Sequence, residues 1–127
     1  MASTYEVGKK LVELCKAGKS MEAIKTLYSD KIVSIEAMAM GPDMSQRQEG
    51  IAAITKKAQG WEANHEIHRA SAEGPWPHGD KFIVHFNYDV TAKAGPMAGK
   101  RMTLDEAALY TVKDGKITQE EFFYHMG

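Results

Sequence analysis

The stretch RMTLDEAALYTVKDGKITQEEFFY, residues 101–124, decides the fold. Met102, Leu104, Ala108, Tyr110 and Val112 recur at every second position, the period of a half-buried strand, and Asp114-Gly115 is the dipeptide of a tight hairpin turn. One position on that face, Glu106, is a carboxylate, and a carboxylate on a buried sheet face must be paired, protonated or functional. Two registers stay open. A two-residue loop pairs Val112 with Ile117 and sets Glu106 beside Phe123. A three-residue loop with Gly115 as a bulge sets Glu106 beside Phe122 and aligns Leu104 with Tyr124.

Working back from the hairpin, Phe82 to Thr91 alternates Phe82, Val84, Phe86, Tyr88 and Val90 against Ile83, His85, Asn87 and Asp89, the pattern of a strand. The segment Gly74 to Asp80 carries two prolines and two glycines, so it is neither helix nor central strand, and Glu66 to Ala72 is a weak strand before it. Earlier still, Ile51, Ile54, Ala58 and Trp61 make a helical stripe after Gly50. Ile32 to Met40 changes to period two, with Ile32, Ser34, Glu36, Met38 and Met40 on one face. The loop from Gly41 to Gln48, with Asp43 and Arg47, is expected as a mobile flap. At the start, Ser3 and Glu6 have capping-box spacing ahead of Val7, Leu11, Leu14 and Cys15, and Ser20 is placed to cap a second helix with Met21, Ile24, Leu27 and Tyr28 on its face. Helices first and then an antiparallel meander predict an α+β fold in one domain spanning 1–127.

Composition narrows the function. The 127 residues hold 16 Lys+Arg against 17 Asp+Glu, a net charge of -1. No like-charge run marks a polybasic arm, so nucleic acid and anionic membrane are not expected as partners. One cysteine, Cys15, permits no internal disulfide and points to a reducing compartment. No stretch approaches the roughly 18 apolar residues of a membrane span, and the N-terminal residues do not read as a signal peptide, so a cytoplasmic location is expected.

The order of elements, with Ala17-Gly18, Tyr28-Ser29-Asp30, Gly50-Ile51-Ala52-Ala53-Ile54 and Tyr110 to Ile117, resembles the nuclear transport factor 2-like superfamily, in particular its SnoaL-like branch. The resemblance implies a cone: three N-terminal helices on a strongly curved, mostly antiparallel sheet that encloses an apolar pocket, in a homodimer joined through the outer sheet face. It favours the three-residue loop. The superfamily includes ketosteroid isomerases, polyketide cyclases, dehydratases, epoxide hydrolases and non-catalytic association domains, so fold alone does not assign the function.

Against that pattern Glu36 falls where the isomerases carry their general base, and Ile32, Met38 and Met40 give it a desolvating surround. If Glu106 shares its cavity, mutual repulsion leaves one acid and one base. The structural alternatives are ion pairs, Glu36 with Arg47 or Lys31 and Glu106 with Arg101 or Arg69. The isomerases' oxyanion-donor tyrosine falls at Leu11 and their protonated acid at Ala108, which disfavours steroid isomerisation by that mechanism. His65, between helix three and the next strand, is a third catalytic candidate at the pocket mouth. Expected pocket walls include Met38, Trp61, Phe82, Val84 and Phe86. Tyr88, Ala108, Tyr110, Phe122 and Tyr124 complete them. His65 and His68 are too poorly spaced on a strand to chelate, and no metal or other cofactor is expected. The expectation is a cofactor-independent isomerase, cyclase, dehydratase or hydrolase acting on a small apolar molecule; the alternative is a binding or association domain without turnover.

Overall fold

The computed structural model describes residues 2–39 and 45–125. Three helices, α1 (Thr4–Lys16), α2 (Ser20–Leu27) and α3 (Ile51–Asn64), accompany six strands. The strands are β1 (Tyr28–Ile35), β2 (Arg47–Glu49), β3 (His65–His78), β4 (Lys81–Ala92), β5 (Arg101–Lys113) and β6 (Lys116–Phe123). They form one sheet in the order β2-β1-β6-β5-β4-β3. Every neighbouring pair is antiparallel except β1 with β6. This is the expected α+β arrangement.

Local chemistry sets most boundaries. The Ser3–Glu6 capping box closes both ways, Glu6 N–H donating to Ser3 Oγ at 3.1 Å and Ser3 N–H to Glu6 Oε1 at 3.0 Å, so two orphan amides of α1 are satisfied. Ser20 is the first residue of α2 rather than its cap; Lys19 precedes it and offers no side-chain bond. Tyr28 leaves the helix for extended backbone, so β1 begins four residues earlier than its periodicity suggested and ends at Ile35. Of the expected flap over 41–48, residues 41–44 lie outside the described part, as does Met40. Arg47–Glu49 pairs with β1 as a short strand.

The proline-rich segment also joins the sheet. β3 runs through Pro75 and Pro77 because it is an edge strand and its register shifts between Glu73 and Trp76, where a missing N–H breaks no ladder bond. Gly74-Pro75 is cis. Pro75 then packs on α1, where a Cβ on Gly8 would stand 2.8 Å from Pro75 Cβ and 3.1 Å from Phe82 Cδ2. The core beneath the helices joins Val7, Leu11, Ile32, Ile54, Phe82, Tyr110 and Ile117.

The 101–124 hairpin resolves into neither register. Asp114 (φ 53°) and Gly115 (φ 76°) form a two-residue turn with both central residues left-handed, and Val112 does pair with Ile117. Thr118 is then inserted as a bulge, so Thr111 faces Gln119 and Ala108 faces Phe122. One extra residue reverses the side-chain parity of the rest of β6. Ile117, Glu120 and Phe122 consequently point inward, and Phe123, 50% exposed, points out. Among the described residues no helix is long and apolar enough to cross a membrane.

Candidate functional site

Parity after the Thr118 bulge carries Glu120 into the core, where it is 4% exposed. Ser34 on β1, fully buried, is its direct neighbour across the parallel β1–β6 pairing. Tyr28 Oη donates to Glu120 Oε1, and Ser34 Oγ donates to Oε2 at 2.7 Å. Lys57 reaches down from α3 and donates to Ser34 Oγ at 2.7 Å. Its ammonium also lies 2.7 Å from Glu36 Oε1 and 5.2 Å from the centre of the Phe122 ring. Tyr124 Oη donates to Glu36 Oε2 at 3.1 Å. A continuous polar chain thus runs Tyr28, Glu120, Ser34, Lys57, Glu36, Tyr124.

Glu106 belongs to the same cluster. It sits across from Phe86, one step beyond the last β5–β6 pair, and has no hydrogen-bond or ion-pair partner among the described residues. No buried side-chain nitrogen or oxygen there lacks a partner, so the carboxyl oxygens of Glu106 reach accessible space. Desolvation first, and then repulsion by Glu36, push its pKa up to about 7 against the pull of Lys57. Burial likewise raises Glu120, although the Tyr28 and Ser34 hydroxyls oppose it. Burial together with Glu106 raises Tyr88, and burial together with Glu36 raises Tyr124, which keeps both phenols protonated.

The charge of Glu36 is thus felt at Glu106, and neither has the ion pair that the sequence offered as an alternative. Arg101 is engaged with Asp89 at 2.9 Å, Arg69 donates to Asn87 at 2.8 Å, and Arg47 pairs with Glu49. His65 is held against α3: its Nδ1 donates to the Trp61 carbonyl at 2.9 Å and its ring stacks on Trp61 at 4.6 Å. Trp61 leans on Tyr88 at 5.2 Å, and Tyr88 stacks over Phe86 at 6.0 Å, so an aromatic row leads from His65 to the strand carrying Glu106's neighbour. Along β4 this face grades from buried Phe82 and Val84 to half-buried Tyr88, with Ala108 and Tyr110 buried opposite. Phe122 packs against the core. Met38, 44% exposed, lies past the end of β1.

Tyr28, Ser34, Lys57 and Glu120 were not singled out in the sequence, though three carried a signal. Ser34 shares the face of Ile32 and Glu36. Lys57 is three residues after Ile54 and four before Trp61, on the helix stripe. Glu120 is two before Phe122. Polar residues on apolar faces are the mark of a buried network. Two open surface depressions, one beside Lys25, Asp30, Lys31 and Lys116 and one between α2 and α3, contain neither Glu36, Glu106 nor Lys57. Among the described residues no group of three or more His, Cys, Asp or Glu side chains has metal-binding geometry.

Three helices on a curved, mostly antiparallel sheet make the architecture of the cone-shaped α+β domains. The sequence profile of the SnoaL-like domain matches residues 2–124, and the chain belongs to that family. It is 44% identical to a protein of Mesorhizobium loti provisionally assigned as a SnoaL-like polyketide cyclase [carbohydrate phosphatase], with a TM-score of 0.88 over 97% of this chain and 100% of that one. A protein of unknown function with a cystatin-like fold from Xanthomonas campestris is similar at 16% identity, with a TM-score of 0.76 over 98% and 92% of the two chains. An NTF2-like protein of unknown function from Burkholderia pseudomallei gives 0.78 at 13% identity over 98% and 92%; these two likenesses concern the fold alone. None of the curated proteins matches the chain.

Proposed function

We propose that this domain is a cofactor-independent acid/base catalyst of proton transfer on a small, largely apolar molecule. The observation that carries the reading is the unequal environment of two neighbouring carboxylates. Glu36 is held against the Lys57 ammonium at 2.7 Å, while Glu106 has no such partner and is pushed up to about 7. Groups driven apart in this way divide the work, Glu36 as the base that takes a proton from carbon and Glu106 as the acid that gives one to oxygen. Ring closure by internal aldol addition uses both steps: a carbon–carbon bond forms as the carbonyl π bond breaks, the carbon's proton stays on Glu36, the new alkoxide takes the proton of Glu106, and exchange with solvent resets the two carboxyls. This agrees with the cyclase assignment of the Mesorhizobium relative. Phosphate-ester chemistry is the poorer fit, because Lys57 is already paired with Glu36 and the cluster offers no second cation among the described residues to receive a phosphate.

Trp61, Phe86, Tyr88, Phe122 and Tyr124 are the proposed walls, Phe82, Val84, Ala108 and Tyr110 the floor, and His65 a contact at the open end. The outer sheet face carries Ile83 and Phe123, 42% and 50% exposed, which supports the expected homodimer. The reaction is read by solvent deuterium entering the α-carbon of a simple cyclic monoketone, whose uncatalysed exchange at neutral pH is slow, and it requires no knowledge of the natural substrate. Glu36→Gln and Glu106→Gln are expected to lower the exchange rate by about 10²-fold or more with the fold intact. Full activity in both variants would overturn the site, and ligand binding without exchange would favour a non-catalytic pocket.

A further inference from the structure

Glu120 is a buried carboxylate that the proposed reaction does not use, and when it is ionised the hydrogen bonds around it run in one direction. Lysine has donors and no acceptor, so Ser34 Oγ must accept from Lys57 at 2.7 Å. With Glu120 ionised, the single hydroxyl proton of Ser34 is left for its Oε2, also at 2.7 Å, and that oxygen accepts. Tyr28 closes the chain on Glu120 Oε1. Ser34 is fully buried and Glu120 nearly so, so water does not substitute for either partner. A four-methylene side chain with one carboxylate partner would swing; a second acceptor whose rotor is locked removes that freedom.

We infer that Ser34 and Glu120 are positioning residues that hold the Lys57 ammonium in place between the two cone carboxylates. The inference rests on the acid/base reading for its functional meaning, but the coupling itself is a property of the resting protein. Lys57 from α3 faces Glu36 at the end of β1, Glu120 on β6 and Glu106 on β5; Tyr88 on β4, Tyr110 on β5 and Tyr124 after β6 are the other ionisable groups around Glu106. Lys57 is the neighbour that draws Glu106 toward ionisation, so its displacement is legible there.

The test follows the Glu106 side-chain carboxyl by carbon NMR through a pH titration of the whole chain without substrate. Ser34→Ala conserves charge and cuts the link. It is expected to move the Glu106 midpoint up, an ionisation constant about threefold lower or more, in the same direction as Lys57→Met, and Ser34→Thr, which keeps the hydroxyl, is expected to restore it. A midpoint unmoved by Ser34→Ala while Lys57→Met shifts it overturns the inference, as does a midpoint unmoved by both. If the alanine variant does not fold, the unaltered protein decides. A nitrogen NMR signal of the Lys57 ammonium protected from solvent exchange supports the positioning, and a rapidly exchanging one overturns it. Because no turnover is measured, exchange activity surviving in Glu36→Gln and Glu106→Gln would remove the proposed reaction and leave this result standing.

Discussion

The Lys57 ammonium lies 2.7 Å from Glu36 Oε1, and this contact joins α3 to the end of β1 across the inner face of the sheet. Both side chains are about 85% removed from solvent, with exposures of 15% and 13%. At such a site a lone charge is costly, and removing one member leaves the other uncompensated. The pair therefore also orders the cluster around it, since Phe122, Ser34 and Tyr124 each touch one of its members.

Lys57→Met is the direct probe of that pair in the reaction. It leaves Glu36 buried without its counter-charge and takes from Glu106 a neighbour that favours ionisation. The deuterium-exchange rate is expected to fall at least about tenfold at pH 7, with the loss relieved in part by Lys57→Arg, which keeps the charge. An exchange rate equal to the unaltered protein's would show that Lys57 takes no part.

Glu106 predicts a pH dependence with a definite sign. Its folded pKa, about 7, exceeds the ordinary carboxyl value, so the folded state holds this proton more tightly than the unfolded chain. The stabilising contribution of the group is complete below the unfolded value and is lost as the pH rises toward and through 7. Glu106→Gln removes this penalty and no hydrogen bond, so it is expected to stabilise the protein at pH 8 by roughly 3 kcal/mol at most and to bring little gain near pH 4. Urea unfolding at the two pH values measures the difference; equal effects at both would contradict the burial assigned to Glu106.

Gly8 tests the packing of the edge strand on α1. Alanine gains about 1 kcal/mol of helix propensity at a mid-helix glycine. Against that, its Cβ would stand 2.8 Å from Pro75 Cβ and 3.0 Å from Pro75 Cγ, ring carbons that have no rotamer into which to withdraw. Overpacking wins, and Gly8→Ala is expected to be destabilising by about 1–2 kcal/mol net, a fall of several degrees in Tm, with deuterium exchange at the site retained. A rise in Tm would show that β3 yields at Pro75.

Much of this architecture could be read locally. The capping box at Ser3 and Glu6, the left-handed Asp114-Gly115 turn and the alternation along Phe82 to Val90 are decided by neighbours a few residues away, and the resemblance carried by their order led to the right family. Glu36 and Glu106 stood out because each is a charge on an apolar face. The tertiary structure alone decided how they are partnered. The Thr118 bulge flips the parity of β6, and without it Glu121 and Phe123 would face inward in place of Glu120 and Phe122. Ser34 and Glu120 meet from positions 86 residues apart, on strands whose parallel pairing no local pattern announces. Hydrophobic periodicity specifies which face of an element is buried; which charges meet on that face depends on register and on the approach of α3, and both are properties of the assembled sheet.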